Sequence, residues 1–301
     1  MDVLDRYVKF YGHLHDRKWL YYRILSPIRY AVRKRAYKVL SLYLSQPVKS
    51  SVEPFKGLIV SLTSFPERID NVWQVVECML RQSVKPEKII LWLSEQQFPN
   101  VESLPQSLKE RISDVFEIRF VRGDIRSHKK YYYTAKEYGD KLVFLIDDDI
   151  YYPTDIIERS LEFYRKNKNV VVCNYGRRII YNPEGRHLPY SQWDDGIRLT
   201  SGDDLFLGTG GGTLLCFNDL YKDVTNIDLA LSLTPTADDI WINTMIRLAG
   251  LKVITASNGF FLPMESETQH SLMSVNLGQS MNDKQIEAVE KKYGRIFDKK
   301  V

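Results

Sequence analysis

KLVFLIDDDI, residues 141–150, decides the fold. An apolar strand (141–146) runs straight into three consecutive carboxylates, Asp147, Asp148 and Asp149. A continuous apolar strand is buried on both faces, as in a parallel sheet. Ligands of open α/β sheets bind just beyond the carboxyl ends of such strands. Three adjacent carboxylates repel one another and gain nothing as packing. They can hold a hard divalent cation, Mn²⁺ or Mg²⁺, with phosphate oxygens completing the shell. Alternate residues of an extended segment point the same way, so Asp147 and Asp149 are expected as metal ligands and Asp148 on the other side. The plainer alternative is a solvated acidic turn ahead of a helix starting at Pro153.

Strands and helices alternate on either side of this stretch. GLIVSL (57–62), KIILWL (88–93), FEIRFV (116–121) and VVVCN (170–174) read as further strands. Helices are expected at 69–82, 104–115, 131–138 and 153–166. The order predicts an α/β fold with a mostly parallel sheet covered on both faces. The second half is less regular. Tyr175–Gly212 is rich in Gly, Asp and Tyr. A strand near 213–217, a helix at 238–249, a strand at 252–255 and a helix near 283–293 follow. Tyr181, Tyr190 and Trp193 could stack on sugar rings or belong to the core.

Three polar clusters accompany the triplet. Asp124, Arg126, His128, Lys129 and Lys130 precede a helix; Lys can act as a point charge near phosphate and Asp can accept from a base or ribose. Lys129 is the preferred residue, then Asp124, with Lys130 beside them. Leu207–Thr213 holds four glycines and no Gly-Lys-Ser/Thr, so it is not a phosphate-wrapping Walker loop. Its use is conformational, allowing close approach of backbone to a ligand. Asp238-Asp239 opens a helix, where one carboxylate is favourable by the dipole alone; a second implies a further task.

The strand-to-triplet stretch LIDDDI resembles the D-x-D motif of nucleotide-sugar glycosyltransferases with the GT-A fold, over roughly residues 57–270. SLTSFPER (61–68) resembles their first nucleotide loop, which implies Thr63, Phe65 and Arg68 at the base and diphosphate. RGDIRSHKKYYYTAKEY (122–138) resembles the segment meeting uracil and ribose. TADDIWINTMIRLAG (236–250) resembles their acidic-pair helix. Many family 2 glycosyltransferases carry an Asp after the second strand; this chain reads LWLSEQQ, with Ser94, closer to exostosin-like transferases, and the base stays open. The resemblance implies a nucleoside-diphosphate-sugar donor, UDP-linked by preference, contacted also by Asp147, Asp148, Gly211 and Gly212. It implies Asp239 as the general base that takes the acceptor hydroxyl's proton, Asp238 on acceptor or donor hydroxyls, and His270 completing the metal site with Asp147 and Asp149. The anomeric outcome is undecided. Two rivals are a nucleotidyltransferase that makes the activated sugar and a glycan- or nucleotide-sugar-binding scaffold without turnover. SLTSFPER lacks the glycine that the first usually needs.

The net charge of +4 conceals an asymmetry. Residues 1–50 hold eleven Lys/Arg against three Asp, and nine aromatics. The remaining 31 basic residues face 35 acidic ones. The chain therefore divides into a basic helical arm (1–50) and a GT-A-like body (51–301), with a nucleotide-binding half (57–150) and an acceptor-binding half (151–301). Ser26-Pro27 reads as a helix start. Ile28, Ala31, Val32, Val39, Leu42 and Tyr43 then share one face, with Arg35 at its centre. Basic flanks and an apolar face suit an anionic membrane surface; packing on the body is the alternative. No nucleic-acid motif appears, and the acidic body argues against that partner. No apolar run reaches membrane-spanning length, and no secretory signal is read. Three scattered cysteines fit a reducing compartment. The expected enzyme works in the cytoplasm, at the inner face of a membrane, on a lipid-linked or growing surface glycan.

Overall fold

Each apolar run forms the strand its composition dictates. The structure, a computed structural model, describes residues 2–15, 24–47, 52–195, 201–256, 261–264 and 281–299. Within these residues the arm contributes helices α1 (Val3–His15) and α2 (Ser26–Leu44). The first half of the body alternates β1 (Phe55–Thr63), α3 (Val72–Leu80), β2 (Pro86–Ser94), α4 (Gln106–Lys109), β3 (Phe116–Val121), α5 (Lys129–Tyr138) and β4 (Leu142–Ile146). After the triplet come β5 (Ile150–Tyr151), α6 (Ile156–Lys166), β6 (Val170–Cys173), β7 (Gly176–Arg178), β8 (Asp194–Asp195), β9 (Ser201–Gly202), β10 (Leu205–Leu207) and β11 (Gly211–Cys216). The chain continues through α7 (Ile227–Leu233), α8 (Asp238–Leu248), β12 (Lys252–Thr255), β13 (Leu262–Pro263) and α9 (Met281–Tyr293).

Eight strands form the main sheet in the order β3-β2-β1-β4-β11-β6-β12-β9. The pairs β1–β2, β1–β4, β2–β3 and β6–β12 are parallel. The fold is therefore α/β with a mostly parallel sheet. Two strands depart from it: β9 pairs antiparallel with β12 at one edge, and β11 lies antiparallel between β4 and β6. Strand β11 brings Gly211 opposite Ile146, the residue before the triplet. One sheet thus crosses both halves of the body and aligns the glycine loop with the acidic strand end.

One expected helix is much shorter than its pattern. Residues 104–115 give only α4, because Pro105 precedes it and a turn follows in which the Ser113 hydroxyl accepts the Phe116 N–H at 3.2 Å. Local Ser bonding competes there with helix continuation. The aromatic region near 181–193 is core: Trp193 is 3% exposed and packs on Tyr190, Phe206 and Phe297.

The arm is packed on the body. Leu4, Ala36, Leu40 and Leu44 are completely buried in the same core as Val72, Val75 and Val76 of α3. Each buried Leu stabilises this junction by about 2 kcal/mol. The face that packs is not the apolar stripe read from the sequence for a membrane surface. Arg29, Ala36, Leu40 and Leu44 face inward, whereas Ile28 and Leu42 are 46% and 71% exposed. The helix has two apolar stripes, and the body takes the one with small and branched aliphatic side chains. Ser26 is not the N-cap; Leu25 holds that position without a side-chain bond, and Pro27 sits in the first turn.

Candidate active site

The strand β4 ends at Ile146, and residues 148–149 form a bend. The alternation expected of an extended segment therefore breaks within the triplet. Asp148 and Asp149, rather than Asp147 and Asp149, share a partner. Arg68 places one guanidinium nitrogen 2.8 Å from Asp148 Oδ1 and 2.8 Å from Asp149 Oδ2. Asp148 also accepts from the Ser64 hydroxyl at 2.5 Å. Asp147 turns the other way, to Lys130.

Lys130 is the centre of the site. Its Nζ is 2.7 Å from Asp147 Oδ1 and 3.0 Å from Asp238 Oδ2. One buried ammonium thus joins the triplet to the acidic pair. Burial opposes its charge, but Asp147 and Asp238 outweigh burial and hold it protonated, above the usual lysine range. Lys129, the residue preferred from sequence, points away. It is 2% exposed and ion-paired with Asp124. Asp124 in turn accepts from the Arg126 N–H at 2.9 Å and from Gln97 at 3.0 Å. Both are engaged in ordering their own turn. The helical repeat explains the exchange: at the first turn of α5, a shift of one residue swings the side chain by about 100°.

The glycine loop lies between the two acidic groups and bonds to both. Asp147 N–H donates to Gly210 O at 3.1 Å. The buried Tyr152 hydroxyl accepts from that same N–H at 2.9 Å and donates to Gly210 O. On the other side, Thr209 N–H donates to Asp239 Oδ1 at 2.8 Å. The Thr209 hydroxyl contacts Asp238 Oδ2 at 2.7 Å and also Asp239 Oδ1. A Cβ on Gly210 would lie 1.7 Å from Asp147 Oδ2, so the carboxylate occupies the space a side chain would need. Gly211 and Gly212, expected at the donor, are instead buried under Tyr175 and Phe144. Their close approach is to the protein's own rings. Thr209 was not singled out by sequence, since a Thr among glycines carries no distinct signal.

Burial and like charge set the protonation of the carboxylates. Burial, and then neighbouring Asp148, push Asp149 up to about 7. Burial, and then Asp238, push Asp239 up to about 6. Burial works in the same direction on Asp238, but Lys130, His128 and the Thr209 and Ser127 hydroxyls together outweigh it and hold Asp238 below the usual range. Five carboxylates here share two basic side chains, Arg68 and Lys130. The excess negative charge and the all-oxygen donor set suit a divalent cation, although Asp147 and Asp149, expected to share one side, turn to different partners, Lys130 and Arg68. His270, expected as a further ligand, lies outside the described residues. The triplet does not converge on one point. Among the described residues, the trio with ligand atoms within 4.8 Å of one another is His187, Glu290 and Asp298.

The remaining expected residues divide. Phe65 and Arg68 adjoin each other, the guanidinium 5.2 Å from the ring centre. Thr63 donates its hydroxyl to Trp92 O at 2.7 Å. Ser94 is fully buried, its hydroxyl accepting Gln96 N–H at 3.2 Å, and is closed to a base. His128 is also fully buried, with its ring bonded to Thr234 O at 2.7 Å and the Tyr131 hydroxyl at 3.1 Å.

No protein-family model matches the chain, and no curated protein does. Solved structures give distant likenesses. One is a mannosyltransferase, PcManGT, from Pyrobaculum calidifontis in complex with GDP-mannose and Mn²⁺. It is 12% identical with a TM-score of 0.48, over 89% of this chain and 74% of that one. Another is the 4-diphosphocytidyl-2C-methyl-D-erythritol synthase of Anaerococcus prevotii. It is 13% identical with a TM-score of 0.41, over 75% of this chain and 99% of that one. At this distance neither carries function across.

Proposed function

We propose that the chain is a metal-dependent glycosyltransferase of the GT-A kind, moving a sugar from a nucleoside-diphosphate donor to a glycan hydroxyl. The observation that carries this reading is the Lys130 bridge. It places a triplet suited to a metal and a diphosphate beside a carboxylate pair suited to an acceptor. UDP is the preferred nucleotide and a lipid-linked or growing surface glycan the preferred acceptor.

Each residue then has a task. Asp147 and Asp149 would hold Mn²⁺ or Mg²⁺, which when bound neutralises charge on the leaving diphosphate. Arg68 restrains Asp148 and Asp149 and adds positive charge on the same side. Lys130 keeps Asp238 ionised and offers its ammonium toward the diphosphate. Asp239 accepts the acceptor hydroxyl's proton. Its elevated pKa strengthens it as a base while leaving it ionised at neutral pH. Thr209 fixes its orientation. Burial around the pair limits water, which favours transfer to a sugar hydroxyl over hydrolysis.

The deciding experiment is a panel of UDP-, GDP- and CMP-sugars incubated with the protein, with and without Mn²⁺. Metal-dependent release of nucleotide from one donor, lost in Asp149→Ala, supports the reading. Release from none overturns it. Pyrophosphate release from a nucleoside triphosphate and a sugar phosphate would instead establish the nucleotidyltransferase.

A further inference from the structure

The arm presents a second face after it has packed. On α2, Ile28, Ala31, Arg35, Lys38 and Leu42 recur at spacings of three and four residues, which sets them on one stripe. All five are exposed, opposite the buried Ala36, Leu40 and Leu44. The helix carries no carboxylate at all. From α1, Phe10, Arg6 and Lys9 are exposed alongside, Phe10 at 51%. Between the helices runs an apolar groove of about 510 Å³, floored by Tyr7, Pro27, Ile28, Ala31 and Val32 and edged by Arg35. Exposed Phe, Ile and Leu on one side of a helix pair mark a contact surface. The cations decide the contact. Arg6, Lys9, Arg35 and Lys38 make no ion pair among the described residues.

We infer that this face docks the protein, in plane, on an anionic lipid surface. The apolar side chains enter the headgroup boundary and the unpaired cations meet the lipid phosphates. A protein partner would need a large acidic and apolar patch to match the same surface. A second copy of this chain would oppose like charges across a two-fold axis, which is unfavourable. No described helix is long and apolar enough to cross a membrane, so the contact is on the surface.

The position of the arm connects this surface to the candidate active site. Arg33 of α2 donates to Met264 O at 3.4 Å, and Met264 N–H donates to Asp149 O at 2.7 Å. Strand β13, just before Met264, pairs with β5, just after the triplet. Asp5 of α1 accepts from both the N–H and the hydroxyl of Thr154. The docked arm would therefore hold the metal side of the site close to the lipid plane. That geometry suits an acceptor carried on a membrane lipid, a consequence that rests on the transfer reading above; the docking itself does not.

The test uses the full chain and extruded vesicles. Phosphatidylcholine alone is compared with phosphatidylcholine containing phosphatidylglycerol, by co-sedimentation. The variants are Arg35→Gln/Lys38→Gln and Ile28→Gln/Leu42→Gln, all at exposed positions that leave the packed stripe intact. Wild type should bind anionic vesicles and not neutral ones. The charge variant should bind about fivefold more weakly per cation removed, about 1 kcal/mol each, and the apolar variant at least tenfold more weakly. Both should retain metal-dependent nucleotide binding. Equal binding to neutral and anionic vesicles, or unaltered binding by both variants, overturns the proposal. So does a wild-type dimer, seen by light scattering, that the same substitutions dissociate. Vesicle binding without donor turnover faults the transfer reading alone; turnover without vesicle binding faults the docking surface alone.

Discussion

Thr209 holds Asp239 twice, through its backbone N–H at 2.8 Å and through its hydroxyl to the same carboxylate oxygen. The side-chain bond favours the ionised form, against burial and Asp238, which raise the pKa to about 6. With Mn²⁺ saturating, so that Asp149 stays ionised, transfer should therefore fall as pH drops through about 6, with a slope of one proton. Thr209→Val removes the hydroxyl and keeps the N–H. We expect this limb to move to higher pH, with kcat reduced about tenfold to a hundredfold and donor KM little changed. Asp239→Asn should bind donor and lose about 10²–10⁴ in transfer. A pH–rate profile of the three proteins checks this; coincident profiles for wild type and Thr209→Val would remove Thr209 from the mechanism.

Lys130→Met leaves Asp238 buried without its cation. Loss of one partner from a buried ion pair costs about 3 kcal/mol, so the urea midpoint at pH 8 should drop clearly. The sign of the pH effect follows from Asp238, which is held below its ordinary value. Its contribution is present above the unfolded pKa and lost as pH falls through the folded one. The gap between wild type and Lys130→Met should narrow below about pH 4, in urea titrations at several pH values.

Gly210→Ala puts a methyl where the Asp147 carboxylate lies. The carboxylate must move, and with it the bond to Lys130. We expect loss of metal-dependent nucleotide binding in a protein whose circular dichroism is native. Unchanged Mn²⁺ affinity would show that Asp147 is dispensable to the metal.

Asp149→Asn removes the carboxylate that like charge and burial crowd most, pushed up to about 7. Without metal, at pH 8, the variant should melt at or slightly above wild type, by about 1–3 °C. With Mn²⁺, wild type should gain stability by mass action and the variant should not. Differential scanning fluorimetry across a Mn²⁺ series separates the two curves.

Much of this was legible in sequence. Every strand of the first half could be drawn from its apolar run, because a strand buried on both faces leaves no other reading for such a segment. The antiparallel insertion of β11 could not, since pairing direction leaves no trace in a six-residue run. Asp147–Asp149 and Asp238–Asp239 were visible because like charges side by side have no packing use. Lys130 was ranked below Lys129, because helical phase near a helix start is uncertain by one residue and one residue decides which ammonium reaches the site. Gly211 and Gly212 were assigned to a ligand, when Tyr175 and Phe144 take up the space that their missing side chains leave. The stripe through Ile28 and Leu42 was found, but the packing stripe through Ala36, Leu40 and Leu44 was not, because α2 has two apolar faces and only the tertiary contact chooses between them.

The burial of Leu4, Ala36, Leu40 and Leu44 beneath α3 also governs how the chain can be divided. Cutting before residue 51 removes the cover from a finished core, and Leu40→Ala alone should cost about 2–5 kcal/mol. The arm is thus not a portable address tag. Grafting it onto another enzyme, or replacing it with a foreign anchor, requires the underside of α3 to be rewritten at the same time. The docking face inferred above and the folding of the body are inherited together in this chain.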